Sequence, residues 1–290
     1  MVQDKSFAGR CFRVLNSSAL ILFAVITVLP IIYVVACSFA TQAEIIQKGF
    51  LLFPTKFSLE AYKYIFSTES LGRSMLVTVY ITVAGTLINI VFTVLMAYPL
   101  SHSHIMGRKT IMLMVTFTMM FNPGIIPAFL VVKSLGMLNT WWSLLIPNAI
   151  SAFNLIILKN FFAQLPSELK ESAKIDGAND LRILWKIIIP ISLPAIATFS
   201  LFYAVGNWNS FMNPLLYMND SRKWPIQVLL RQIVLMSTGG AGDSDGAIVK
   251  IEPQTVKMAV VVVATAPILI VYPFLQKYFV QGVMVGSIKG

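Results

Sequence analysis

Six stretches of this chain contain no Asp, Glu, Lys, Arg or His: residues 17–43, 74–101, 110–132, 143–158, 187–208 and 258–276. Each reaches or approaches the ~20 apolar residues that an α-helix needs to cross ~30 Å of hydrocarbon. Inside a bilayer every backbone N–H and C=O must be satisfied within the protein, and a single apolar segment does this as a helix. The windows therefore predict an all-α membrane protein with about six transmembrane helices. Pro30 predicts a kink in the first window, which protein-packed lipid helices tolerate, and Asn122-Pro123-Gly124 predicts that the third breaks or bends partway.

Composition agrees. Only 12% of residues are charged and 57% are hydrophobic, whereas a soluble domain carries about 25% charge. The net charge of +10 has no hydrophilic basic domain to present it, so it points to basic residues flanking spans beside anionic lipid rather than to nucleic acid. Cys11 and Cys37 form no metal-ligand spacing and no disulfide framework. The apolar run after Arg13 is too long for a signal-peptide core and reads as a retained first helix.

Orientation follows from the short connections. An even number of spans puts both termini on one side, and twelve of the 22 Lys and Arg residues fall there in short loops. The other ten spread over two long connections, at about 44–73 and 209–257. The density of positive charge near span ends places both termini, and the loop between spans four and five, in the cytoplasm.

The windows' lack of ionisable groups weighs against proton pumps and ion-coupled carriers, which keep such groups for coupling. A carrier of small polar solutes driven through a sodium site of carbonyls and hydroxyls remains as the alternative. No Gly-Lys dipeptide exists to cradle a nucleotide phosphate. No paired carboxylates lie in a span, and His102 and His104 read as loop residues, so no catalytic or metal site is expected.

One polar island stands out, Leu165-Pro166-Ser167-Glu168 through Pro190. Ser167 is expected to cap a helix running to Asp176, Gly177 to sit at its left-handed C-terminal position, and Asn179 or Asp180 to cap a second helix that enters span five. The run Glu171-Ser172-Ala173, three residues, Gly177, nine residues, Ile187-Ile188-Ile189-Pro190 resembles the Glu-Ala-Ala loop of ABC importer membrane subunits. Ser172 replaces an Ala and Ile189 a Leu; the spacing is intact. The resemblance implies a cytoplasmic coupling helix that docks on an ATP-binding subunit, through Glu171, Ser172, Ala173, Asp176, Gly177 and Ala178, with Pro190 closing the motif.

The segment Phe279-Val280-Gln281-Gly282 through Gly286, Lys289 and Gly290 is similar to the end of carbohydrate importer permeases of the MalG and LplC types. That likeness implies that Gly286, Lys289 and Gly290 reach the ATPase dimer, and that a loop at Thr238 to Gly246 enters the cleft of a solute-binding protein. It further implies one ABC-transporter transmembrane domain over 1–290, with a core at about 70–280 and a coupling loop at 165–190. The implied partners are a second homologous permease, two ATP-binding subunits, an extracytoplasmic solute-binding protein, membrane lipid and a carbohydrate substrate, with oligosaccharides or polysaccharide fragments favoured. ATP and Mg belong to the partner ATPase and no cofactor to this chain. The implied location is the inner or plasma membrane of a prokaryote.

Candidate residues for the solute path are the polar side chains of the spans: Asn89, Asn122, Asn154, Asn207, Trp208 and Asn209, with Asn148 alongside. Amides bond sugar hydroxyls and an indole stacks on apolar sugar faces; Trp208 is also read as a membrane-interface anchor, the commoner role of Trp at that depth. Pro54 and Tyr62-Lys63-Tyr64 mark an outer lip on which the binding protein lands.

Overall fold

The computed structural model describes residues 7–237 and 254–287. All regular elements among them are helical, as the charge-free windows require. The chain divides into two compact units, residues 1–69 with 230–265, and 70–229 with 266–290.

In the first unit, Phe7–Ser38 is a single 32-residue helix that absorbs Pro30. Leu20, Ile21, Leu22 and Phe23 are all more than half exposed although they cover successive directions around the axis. A helix apolar all round is one that lipid or another chain covers. Its end packs in a small core of Cys37, Ala40, Ile45 and Leu51 with Tyr33 and Met258. Beyond it, the short helix Gln42–Lys48 carries Glu44, only 6% exposed. The Glu44 carboxylate accepts from the Thr55 hydroxyl, from Thr55 N at 2.8 Å, from Lys48 Nζ at 2.9 Å and from Lys56 N at 3.2 Å. These donors, the Thr55 hydroxyl foremost, hold its pKa down at about 2. One acid thereby ties the predicted lip together around Pro54. Tyr62 is fixed there as well, stacked on Phe39 with centroids 4.8 Å apart and hydrogen-bonded to Ser38 at 2.8 Å.

In the second unit, Glu69–Ser101 is an unbroken 33-residue helix. The third window is broken at Asn122-Pro123-Gly124, where a break or bend is expected, and the fourth, expected as a single helix, is broken as well. In the third, Asn122 Oδ1 accepts from Gly124 N at 2.9 Å, closing a turn that Gly124 completes at φ 87°. Arg108–Met120 and Ile125–Ser134 result, each well short of ~30 Å at 1.5 Å per residue. In the fourth, Trp142–Leu145 and Ala152–Ala163 are separated around Pro147-Asn148. Window five bends instead: Asp180–Ile191 and Leu193–Trp208 meet at 83° at Ser192. Pro190 lacks the N–H that would bond back one turn, Leu184–Ile188 ahead of it is wound as a π-helix, and Ser192 Oγ is buried without a partner among the described residues. Three described helices are long and apolar enough to cross a membrane unaided, Cys11–Ser38, Glu69–Ser101 and Gln254–Val271, and the bent pair makes a fourth.

The main core of this unit joins Ala97, Leu100, Leu155, Leu158 and Phe162 to Ala173, Ile183, Leu184 and Ile188. It therefore packs the polar island directly against the apolar helices.

Candidate functional site

The island forms a knob whose shape follows from its sequence. Ser167–Ile175 is helical, and Pro166, not Ser167, occupies the N-cap position with no side-chain cap. Pro there has φ −51°, already set for the chain to enter a helix. At the other end Gly177 has φ +78°. Ala178 N donates to Ala173 O at 2.9 Å and Gly177 N to Lys174 O at 3.0 Å, the paired bonds of a Schellman ending. Asn179 Oδ1 then accepts from Arg182 N at 2.8 Å and starts Asp180–Ile183.

Ala173 is buried in the chain's own core and seats the knob, whereas Glu171, Ser172, Asp176 and Gly177 are exposed and Ala178 is half-buried. The sequence reading missed Ile175, which is 87% exposed at the knob's end; an apolar residue on an otherwise polar helix face was the signal. Lys174 and Asp180 pair at 3.3 Å across the turn, an exposed contact that contributes little. Burial, with Lys174 adding to it, depresses the pKa of Lys170. His102 and His104 stack edge to face at 5.7 Å nearby, and the described residues contain no cluster suited to a metal ion.

A cavity of about 460 Å³ opens in the same unit, walled in part by Asn89, Asn148, Ser151, Asn154, Tyr203 and Asn207. Its origin is the break in the fourth window. Where the helix stops, the carbonyls of Asn148 and Ala149 lose intrahelical partners, and Asn89 Nδ2 donates to them at 2.7 and 3.1 Å. Asn89 Oδ1 accepts from Asn207 Nδ2 at 3.0 Å. Tyr203 OH accepts from Ser151 N at 3.0 Å and bonds Thr93 at 2.7 Å. Gly85 lies one turn before Asn89, and a Cβ there would meet Asn207 Nδ2 at 2.8 Å. No described residue lining the cavity is charged.

Four of the polar candidates are thus brought together: Asn89, Asn148, Asn154 and Asn207. Three are not. Asn122 is exposed and occupied by its own turn. Asn209 is exposed, donating to Val205 O at 2.9 Å. Trp208 is buried in a separate apolar crevice beside Leu201, Val205, Pro267 and Ile268. Gly85, Ser151 and Tyr203 were missed by the sequence reading; the spacing of Gly85 and Asn89, four residues apart on one helix face, was the only trace of them. Of the terminal candidates, Gly286 lies in the helix Gln254–Ser287, and Lys289 and Gly290 lie outside the described residues, as does Thr238 to Gly246.

Comparison with known proteins adds sequence and structural likenesses. Residues 89–285 match the family described as binding-protein-dependent transport system inner membrane component. The chain is 57% identical to the polygalacturonan/rhamnogalacturonan transport system permease protein YtcP of Bacillus subtilis (strain 168), over 97% of this chain and 99% of that protein. It is 53% identical to the protein LplC of the same strain, over 98% and 96%. Among solved structures, a chain of a bacterial ABC transporter involved in the import of the acidic polysaccharide alginate superposes with TM-score 0.88 at 34% identity, covering 96% of this chain and all of that one.

Proposed function

The chain belongs to the family of binding-protein-dependent transport system inner membrane components, and from that membership we propose that it is the transmembrane permease subunit of an ATP-driven importer of carbohydrates, taking oligosaccharides or polysaccharide fragments. The observation that carries this reading is a charge-free, amide-walled cavity in the same compact unit as an exposed polar knob. An uncharged path suits hydroxyl-rich solutes, and a knob rigidly seated on the core transmits force applied from outside the membrane. The names of YtcP and of the alginate transporter support the choice of saccharides.

In this reading residues 1–290 are one transmembrane domain with its core at about 70–280, and the loop 165–190 couples it to the motor. Glu171, Ser172, Asp176, Gly177 and Ala178 meet the ATP-binding subunit, Ile175 joins them as an apolar plug, Ala173 and Pro190 hold the knob's shape, and Gly286, Lys289 and Gly290 approach the same subunits. A second homologous permease completes the pore, two ATPase subunits bind ATP and Mg, and an extracytoplasmic binding protein delivers the sugar. This chain performs no catalysis and holds no cofactor. Both termini lie in the cytoplasm of a prokaryotic cell.

The reading is tested by reconstituting the complete complex in proteoliposomes. Saccharide uptake that needs enclosed ATP and the binding protein, and ignores ion gradients, is the expected result. Uptake driven by an ion gradient without nucleotide would overturn it.

A further inference from the structure

We infer that the amide cavity is a binding subsite for the uncharged hydroxyl edge of a sugar ring, with Asn154 as a direct contact; the inference rests on the carbohydrate-importer reading. Asn154 is 6% exposed, yet its side-chain amide bonds to no described residue, and it lines the cavity. An amide offers two donors and an acceptor oxygen. The amide is not among the buried polar atoms left without a partner; it opens to the cavity, where water or a solute hydroxyl meets it, and a solute that displaces the water must replace its hydrogen bonds.

The surrounding groups are held in place. Asn89 is fixed by two carbonyls and by Asn207, and Tyr203 is fixed between Ser151 and Thr93. Such a wall presents its dipoles without reorganising, which is what selective binding of small polar groups requires. The volume of about 460 Å³ falls within the roughly 300–1,000 Å³ of small-molecule sites. Phe202 on the same wall supplies an apolar surface of the kind that covers the C–H face of a pyranose.

Charge decides which part of a saccharide enters. A carboxylate placed here would lose its hydration with no cation to replace it, a large penalty. Hydroxyls exchange water for amides at little cost. An acidic saccharide therefore turns its hydroxyl edge to this wall, with its carboxylates directed elsewhere.

The test uses the complete reconstituted complex with three probes: trigalacturonate, its uncharged methyl ester, and maltotriose. Because the Asn154 side chain bonds no described residue, Asn154→Ala is expected to assemble normally. Its uptake efficiency for transported probes falls about tenfold, the loss of one buried hydrogen bond. Asn154→Asp puts a carboxylate into the same shape, so the ratio of methyl-ester to trigalacturonate uptake rises with pH over about pH 6–9 as that group ionises, while the wild-type ratio stays flat. Unchanged uptake by the Ala variant, or a ratio in the Asp variant as flat as in the wild type, overturns the subsite. Loss of complex assembly in parallel with uptake assigns Asn154 to packing and overturns it too. A wild-type complex that imports none of the three probes with ATP contradicts the carbohydrate reading itself.

Discussion

Asn207 occupies space that exists only because residue 85 is glycine: a Cβ on Gly85 would stand 2.8 Å from the Asn207 side-chain nitrogen. The two residues lie on different helices, Glu69–Ser101 and Leu193–Trp208, and their approach is what allows Asn207 to bond Asn89.

Gly85→Ala separates this local effect from helix stability. Alanine in a helix interior is favoured over glycine by about 1 kcal/mol, and the clash is with the end of a side chain that can turn away. The variant is expected to keep or slightly gain thermal stability while sugar uptake falls. In the double variant Gly85→Ala/Asn207→Ala uptake should be no worse than in Asn207→Ala alone, since both changes remove one arrangement. Additive losses would contradict this account.

At Gly177 no described residue beyond its chain neighbours would come within 4 Å of a Cβ, so among the described residues the backbone's left-handed φ of +78° is what limits substitution. Non-glycine residues there cost about 1–2 kcal/mol, Asn least and β-branched residues most. ATPase association, measured by co-purification, should follow the order Gly, Asn, Ala, Val. A ranking by side-chain volume, with Asn below Ala, would point to a steric contact instead.

Glu44 gives the segment it ties, at Thr55 and Lys56, a pH dependence whose sign is fixed. Its pKa is lowered from the usual 4.5 to about 2, so its stabilisation is present above the unfolded value and is lost as pH falls through the folded one. Glu44→Gln is expected to raise protease cleavage within residues 50–58 at neutral pH. Acidifying the wild type from 4.5 towards 2 should bring it to the variant's behaviour, with the variant itself changing little. Equal cleavage of the two proteins at pH 7 would remove Glu44 as the tie.

Trp208 faces apolar neighbours, so its loss should appear as destabilisation. Trp208→Ala is expected to cost about 3 kcal/mol through the cavity it leaves, read as lower complex yield and melting temperature. Trp208→Phe should restore both, with sugar selectivity unchanged throughout. A selectivity shift in the Phe variant would return Trp208 to the solute path.

The helical plan was legible because lipid permits so little else: windows free of charge became helices, and the spacing from Glu171 to Pro190 marked the knob and its glycine turn. The interruptions were harder to read. Pro147-Asn148 lies inside an apolar window where a proline kink is permissible, and it is Asn89, far away in sequence, that satisfies the carbonyls a full break leaves open. The cavity was illegible for the same reason, since its walls come from three separated segments. The facing of Trp208 was likewise undetermined, because at the end of an all-apolar helix no polar stripe marks which side is inward.

The right-angle corner at Ser192 behaves like a bell crank. One arm, Asp180–Ile191, grows out of the knob, and the other, Leu193–Trp208, carries Tyr203 and Asn207. Under the proposed coupling role and sugar subsite, rotation about the corner swings both cavity groups at once, so a sideways shove on Ala178 or Asn179 changes the grip on the solute. On that proposal, stroke and release of cargo are a single motion.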